Sequence, residues 1–306
     1  MRHAFGQMPR RTCVVRVRQG EPVIKLALTD LDDTLIPYGQ GSASTRAVAA
    51  LRAANAVPGL AAGPISGRTC SMLGWMFGPA TDCWDTGVLV NGQVVRLHGE
   101  TIFYAAPPRE LLEELSCHLR EREGEGVALT LYDDNDDDAV VCIGMTAEEM
   151  ARHPKPFAPF KSCAPHVPDG TFVKTNIHCD RTHQEAEAIR EELARAFPEL
   201  SFVFPSRVAS TIDITPQGVT KLSGLQMLMR ELDVGIDEVC VFGDGENDLS
   251  IVEAVPNSVA VANACEAVQR AARWHIGPCT EDSVADAYLD LAASSRRGSR
   301  PSFMEG

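Results

Sequence analysis

The sequence predicts an α/β protein: a Rossmann-like core built on a parallel sheet and interrupted by an inserted α+β cap. Two observations predict the core and a third predicts the insertion. Towards each end of the chain, short apolar runs that stop at polar residues alternate with helical segments, the pattern of parallel strands buried on both faces. Two of those runs lead straight into acidic loops, and in open parallel sheets ligands bind beyond the carboxyl ends of the strands. Between residues 87 and 215 the pattern changes to hairpins mixed with two helices.

In chain order, residues 23–28 form the first strand and run directly into Thr29-Asp30. A helix follows over 44–54, where Ala47, Val48, Leu51 and Ala54 recur at helical spacing. A weaker strand over 57–62 is interrupted by Pro58 and Gly59, and the next helix spans 67–77, with Trp75 and Met76 in the core. Asn91-Gly92, set between 88–90 and 94–95, is a hairpin signal. Further strands are expected at 126–132, 139–143, 172–178, 202–204 and 210–214, with helices at 109–122 and 183–197. Over 220–232, Leu222, Leu225, Leu228, Met229 and Leu232 lie three and four apart, which defines an amphipathic helix. Runs 239–242 and 259–262 suit buried parallel strands. The resulting division is a basic extension over 1–21, a discontinuous core of 22–86 and 216–292, an inserted cap over 87–215, and a frayed tail from 293 to 306.

Composition narrows the partners. The 306 residues carry 28 Lys plus Arg against 42 Asp plus Glu, a net charge of −14. A surface this acidic repels phosphodiester backbones and anionic lipid, so neither nucleic acid nor membrane is the expected partner. Any phosphate that binds must meet positive charge supplied locally. No apolar run approaches the roughly eighteen residues of a membrane span. Arg2, Arg10, Arg11, Arg16 and Arg18 precede no signal-peptide core, and the ten cysteines are scattered without a CxxC pair. The expected compartment is therefore the reducing cytoplasm.

Chemistry concentrates in four short segments. Asp30-Leu31-Asp32-Asp33-Thr34-Leu35 follows the first strand, and alternation along an extended segment turns Asp30 and Asp32 to one side. Paired carboxylates suit a division of labour in which one attacks and the other moves protons, although helix capping by solvated acids would use the same residues. Gly243-Asp244-Gly245-Glu246-Asn247-Asp248 is a second acidic loop at a strand end, and two such loops call for a cation between them. Ser66-Gly67-Arg68 opens a helix, where a hydroxyl and unpaired backbone N–H groups form either an anion site or an ordinary N-cap. Lys221 stands in the first turn of its helix, where a cation opposes the helix dipole. That local misfit favours a functional lysine.

The four segments, in this order and spacing, resemble the haloacid dehalogenase superfamily, and most closely its Cof-type, sucrose-phosphatase-like branch with a large cap inserted after the second motif (subfamily IIB). DxDxT matches Asp30, Asp32 and Thr34; the TGR-like turn matches Ser66, Gly67 and Arg68; the lysine motif matches Gly218-Val219-Thr220-Lys221; and GDxxND matches Gly243, Asp244, Asn247 and Asp248. Asn263-Ala264 resembles a further pair of the family, and the resemblance spans 22–292. It departs at Asp33, where glycine is usual, and at Leu222, where glycine follows the lysine. The resemblance implies that Asp30 attacks phosphorus to form an aspartyl-phosphate and that Asp32 is the general acid and base. It further implies that Mg²⁺ is held by Asp30, the Asp32 carbonyl, Asp244 and Asp248, and that Ser66, Gly67, Lys221 and Asn247 hold phosphate oxygens. Asp32 favours phosphate esters over haloacids, which have no alkoxide to protonate.

The expected activity is Mg²⁺-dependent hydrolysis of a small phosphorylated metabolite, a sugar phosphate by preference. A phosphomutase or phosphotransferase with the same site, or a silent phosphometabolite-binding regulator, would show the same motifs. The run 133–138 gives no register with the Gly and Glu of an EF-hand loop and reads as a solvated turn. His98, His118, His153, His166, His178 and His183 all fall within 87–215 and read mainly as surface or packing residues.

Overall fold

In the computed structural model, residues 23–122, 125–133, 136–146, 148, 160–205 and 211–305 are described. The arginine-rich start of the chain, His153 and the centre of the 133–138 turn lie outside them. Five parallel strands form the core sheet: β1 (Leu26–Thr29), β2 (Ala61–Pro64), and, far along the chain, β12 (Val239–Gly243), β13 (Asn257–Val261) and β14 (Trp274–Ile276). Their order is β14-β13-β12-β1-β2. The chain leaves β1 towards β2 on one side and returns to β12 on the other, so the sheet changes direction between β1 and β12.

Alternate residues of these strands feed two apolar clusters. Ala27, Cys240 and Phe242 pack on one face with helix α1 (Thr45–Asn55), helix α2 (Cys70–Phe77) and the C-terminal helix α8 (Ser283–Arg297). Leu26, Leu28, Val239 and Val241 pack on the other with α5 (Lys221–Glu231), α6 (Leu249–Ala254) and α7 (Glu266–Ala271). Buried on both faces, these strands must read as continuous apolar runs, as they do.

The middle of the chain supplies two further sheets. Strands β3 (Gly87–Leu89), β4 (Val94–Leu97) and β5 (Glu100–Tyr104) form an antiparallel sheet. The Asn91-Gly92 hairpin is real, with a four-residue connection, and Val88 and Val95 join the core cluster beneath α5. The second sheet has the order β10-β11-β9-β6-β7-β8. It comprises β6 (Val127–Asp133), β7 (Asp136–Ile143), β8 (Phe160–Cys163), β9 (Lys174–Cys179), β10 (Leu200–Val203) and β11 (Thr211–Pro216). Helices α3 (Arg109–Leu119) and α4 (His183–Ala196) cover one face, and their Leu112, Leu115, Ile189 and Leu193 share a separate cluster with Leu129, Ile177 and Ile212. Since β3–β5 pack with the core, we propose that the insert begins after Tyr104 rather than at residue 87.

Three expectations need correction. The chain end is not frayed at 293: α8 continues to Arg297, and Met304 returns to the core with 1% of its surface exposed. Trp75 is half exposed, whereas Met76 is buried as expected. Finally, α2 starts at Cys70, capped by the Thr69 hydroxyl on the Met72 N–H, so Ser66-Gly67-Arg68 is a turn before the helix and not its opening.

Candidate active site

β1 and β12 lie side by side with Thr29 opposite Phe242, and the Asp30 N–H donates to the Phe242 carbonyl at 3.0 Å. The two acidic loops therefore leave the sheet at the same level, over the point where its order changes. Asp30 is 6% exposed and Asp248 is fully buried. Carboxylate oxygens of Asp30, Asp244 and Asp248 lie within 4.8 Å of one another. Such a cluster is repulsive unless a cation stands in it.

Lys221 provides one. Its Nζ donates to Asp30 Oδ1 at 2.7 Å and to Asp248 Oδ1 at 2.6 Å. The helix that carries it is started by Thr220, whose hydroxyl accepts the Ser223 N–H, so capping offsets the poor placement of a cation there. Asp248 Oδ2 accepts the backbone N–H groups of Asp244 and Gly245, both at 3.1 Å, and Thr34 Oγ1 donates to Asp244 Oδ1 at 2.6 Å. The Thr34 bond to Asp244 thus ties the first and fourth motifs together.

Burial and the neighbouring acids Asp248 and Asp244 hold the Asp30 carboxyl well above its ordinary range, against the pull of Lys221. Burial, then Asp248, pushes Asp244 up to about 7. Asp248 and Asp30 raise Lys221 in spite of its burial, so it stays charged. Asp32 goes the other way. Its side chain is half exposed; what desolvation it suffers would raise it, but Arg68 donates from Nε and Nη2 to its two carboxylate oxygens at 2.7 and 2.6 Å, and the net effect is a lowered pKa.

Of the residues expected at the site, Asp30, Asp244, Asp248 and Lys221 form one bonded cluster. Asp32, two residues beyond Asp30, is bonded to Arg68 instead. Ser66 is buried in the turn after β2, its Oγ accepting the Arg68 N–H at 3.3 Å, and Gly67 abuts Asn91 and Asp213. Asn247 lies half-buried in the fourth-motif turn, with no hydrogen bond to Asp30 or Lys221 among the described residues. Asp33 explains its own departure from glycine: its φ is +58°, a left-handed conformation that Asp tolerates.

Sequence reasoning missed Arg68 as the partner of Asp32, and a polar group on the insert, Lys174, Asn176 and Asp213. Their signal was present in outline. Asp213 stands between Ile212 and Ile214, a charge on an otherwise apolar strand.

The chain is similar to several known proteins. By sequence, 76 residues are 37% identical to 5-amino-6-(5-phospho-D-ribitylamino)uracil phosphatase YbjI of Escherichia coli, covering 25% of this chain and 28% of that protein. A match of 76 residues is 34% identical to phosphoglycolate phosphatase of Methanothermobacter thermautotrophicus, covering 25% of this chain and 34% of that protein. The chain thus matches about a third or less of the length of these two curated relatives. By structure, it superposes on SMU.1108c of Streptococcus mutans with a TM-score of 0.75 at 21% identity, over 89% of this chain and 100% of that one. BT4131, described as a subclass IIB sugar phosphatase, gives a TM-score of 0.62 at 21% identity, over 86% and 97%. The family described as haloacid dehalogenase-like hydrolases matches residues 27–288. With that match extending over both parts of the core and the whole insert, the chain belongs to the haloacid dehalogenase-like hydrolase family.

Proposed function

We propose that the protein is a Mg²⁺-dependent phosphatase that hydrolyses a small phosphorylated metabolite, a sugar phosphate by preference, through an aspartyl-phosphate on Asp30. One observation carries the reading: Lys221 holds Asp30 Oδ1 and leaves Oδ2 without a hydrogen bond among the described residues. That oxygen attacks phosphorus as the ester P–O bond breaks. Asp32 gives a proton to the departing alkoxide, then takes one from the water whose oxygen displaces Asp30 and releases phosphate. Ser66, the Gly67 N–H, Lys221 and Asn247 hold the phosphate oxygens, which is most of what phosphoryl transfer demands of a protein.

The acid cluster fits a hard divalent ion. Its donors are all oxygens, and burial, then the repulsion of Asp248, pushes Asp244 up to about 7. Asp30, the Asp32 carbonyl and Asp244 would hold Mg²⁺, with Asp248 beside them. When bound, the ion supplies charge to offset the carboxylates and the phosphate oxygens. The names of YbjI and of the phosphoglycolate phosphatases, and the description of BT4131, support small phosphorylated substrates. A cytoplasmic site of action is supported by the lack of any disulfide among the described cysteines. Among the described residues, no helix is long and apolar enough to cross a membrane.

The test is phosphate release from sugar phosphates, nucleotides and phosphorylated cofactors, with and without Mg²⁺, for the natural chain and Asp30→Asn. Mg²⁺-dependent turnover that vanishes in the variant is expected. Turnover that survives Asp30→Asn would sink the mechanism.

A further inference from the structure

The insert sheet ends at β8, an edge strand that runs parallel to β7 with Cys163 opposite Cys142. The backbone fixes this register: the Ala164 N–H donates to the Cys142 carbonyl at 3.0 Å, the bond of a parallel ladder in which 142 faces 163. Residues that face each other on neighbouring strands turn their side chains to the same side of the sheet. For this pair it is the side away from the helices. Val141 and Ile143 join the cluster beneath α3 and α4, whereas Cys142 lies opposite Thr130 and packs against Ala128 and Met145.

Among the nine described cysteines, these two alone face each other across paired strands. Cys179 faces Val127, and Cys240 stands between Ala27 and Asn257. Neighbouring strands run about 4.8 Å apart, inside the range of roughly 4.4–6.8 Å between Cα atoms that a disulfide bridges. A small approach brings the two sulfurs into bonding range, and β8, paired on one side only, is able to make it. Both residues are thiols in this structure.

Their surroundings divide the work between them. Cys142 has none of its surface exposed, whereas Cys163 is exposed. An oxidant in solution therefore meets Cys163 first, with Cys142 beside it under apolar cover. A solvent-accessible thiol next to a second, resolving thiol is the arrangement in which oxidation ends at a disulfide and does not run on to irreversible sulfur acids.

We propose that Cys142 and Cys163 form a reversible thiol–disulfide site that reacts with hydroperoxides. The Cys163 sulfur attacks one peroxide oxygen, so that an S–O bond forms as the O–O bond breaks, and with hydrogen peroxide the departing oxygen takes up the thiol proton and leaves as water. The Cys142 sulfur then attacks the sulfenic sulfur, the S–S bond forms, and the hydroxyl leaves with the Cys142 proton as a second water. Two thiols have lost two electrons, and one peroxide has gained them. An external dithiol reverses the step by exchange. The bond joins positions 21 apart in the chain and fastens the edge strand to its neighbour. This site is independent of the phosphatase reading.

The experiment exposes the full, reduced chain at low protein concentration to a small molar excess of hydrogen peroxide, then unfolds it in urea with iodoacetamide and maps its peptides by mass spectrometry without reduction. The natural chain and Cys163→Ser are compared; Cys163 is exposed, so serine there leaves no cavity. In the natural chain a linked pair of peptides containing Cys142 and Cys163 is expected, lighter by two hydrogens than the two reduced peptides together. Label at both positions should fall about tenfold or more, and dithiothreitol should restore it. In Cys163→Ser, Cys142 should keep its label. Oxidation of Cys163 to a sulfinic acid with Cys142 still labelled would overturn the assignment, as would linkage of either residue to a different cysteine, or label unchanged at both. Loss of Cys142 label in Cys163→Ser equal to that in the natural chain would also overturn it, since the exposed thiol would then have no part in the reaction.

Discussion

Replacing Lys221 by Met keeps most of the length of the buried stem and deletes its charge. In the natural chain one ammonium serves two carboxylates, at 2.7 and 2.6 Å, with a third within 4.8 Å. Removing one partner of a buried ion pair costs about 3–5 kcal/mol, because the other is left uncompensated. The second orphaned carboxylate adds to this, but proton uptake by Asp30, already raised, limits the sum. A loss of about 4 kcal/mol in metal-free buffer at pH 8 follows, which in a domain of this size lowers the melting temperature by roughly 10 °C. Tryptophan fluorescence reads it, since Trp75 lies on α2 and Trp84 and Trp274 pack against the core cluster rather than in the insert. Millimolar Mg²⁺ should recover part of the loss, because an ion bound to the same carboxylates stabilises the folded state by mass action. A variant that melts within about 2 °C of the natural chain without divalent ions would refute the claim that Lys221 compensates the acid cluster.

Three more expectations follow from the same geometry. Asp244 titrates near 7 when folded against an ordinary value of 3.8, so the folded state binds that proton more tightly; metal-free stability should fall as pH rises from about 4 to about 7, and Mg²⁺ should flatten that slope. Denaturant midpoints across pH, with and without the ion, check it, and a rising midpoint in EDTA over that window would contradict it. Asp32→Asn should lower kcat on alkyl phosphates by about 10²–10⁴ and on p-nitrophenyl phosphate by much less, since nitrophenolate leaves without a proton; equal losses would remove Asp32 from that role. In Gly92→Ala the new Cβ would lie 2.0 Å from the Thr220 carbonyl oxygen at a φ of +101°, against the backbone that caps α5 and presents Lys221. A loss of about 3 kcal/mol or more is expected in its thermal unfolding, with turnover impaired well below the transition, and an unshifted transition would show that the contact relaxes freely.

Legibility in the sequence follows where local chemistry decides and fails where tertiary contact decides. Asp30 and Asp244 were readable because a buried parallel strand is a continuous apolar run, and the residue after it is forced to the ligand-binding edge. Lys221 was readable as a cation placed against its helix dipole. Arg68 was visible as part of a motif, but its bond to Asp32 joins residues 36 apart and has no local signature. Strand β14 and the return of Met304 to the core were missed because a three-residue strand and a single buried methionine carry no periodicity. The proposed start of the insert, after Tyr104 rather than at residue 87, rests on contacts of the same kind. A hairpin pattern shows that β3 and β4 pair, but which sheet they pack against depends on Val88 and Val95 meeting α5, which arrives more than a hundred residues later.

On the proposed phosphatase reading, the charge at the site has to account for how so acidic a chain would bind phosphate. Among the described residues, the cations bonded to Asp30, Asp32, Asp244 and Asp248 are Lys221 and Arg68, which leaves this group of six with two negative charges in excess when all are ionised. Both cations are already engaged by carboxylates, so neither alone attracts a phosphate dianion into the cluster. One divalent ion, held by the carboxylates, would cancel the excess and leave the turn of Ser66 and Gly67 to act as an anion site in a neutral field. Phosphate affinity in this protein should therefore be conditional on the ion. Inorganic phosphate should bind measurably with Mg²⁺ and far more weakly in EDTA, as titration calorimetry would show, and equal affinity in the two buffers would mean that Lys221 and the turn suffice without it.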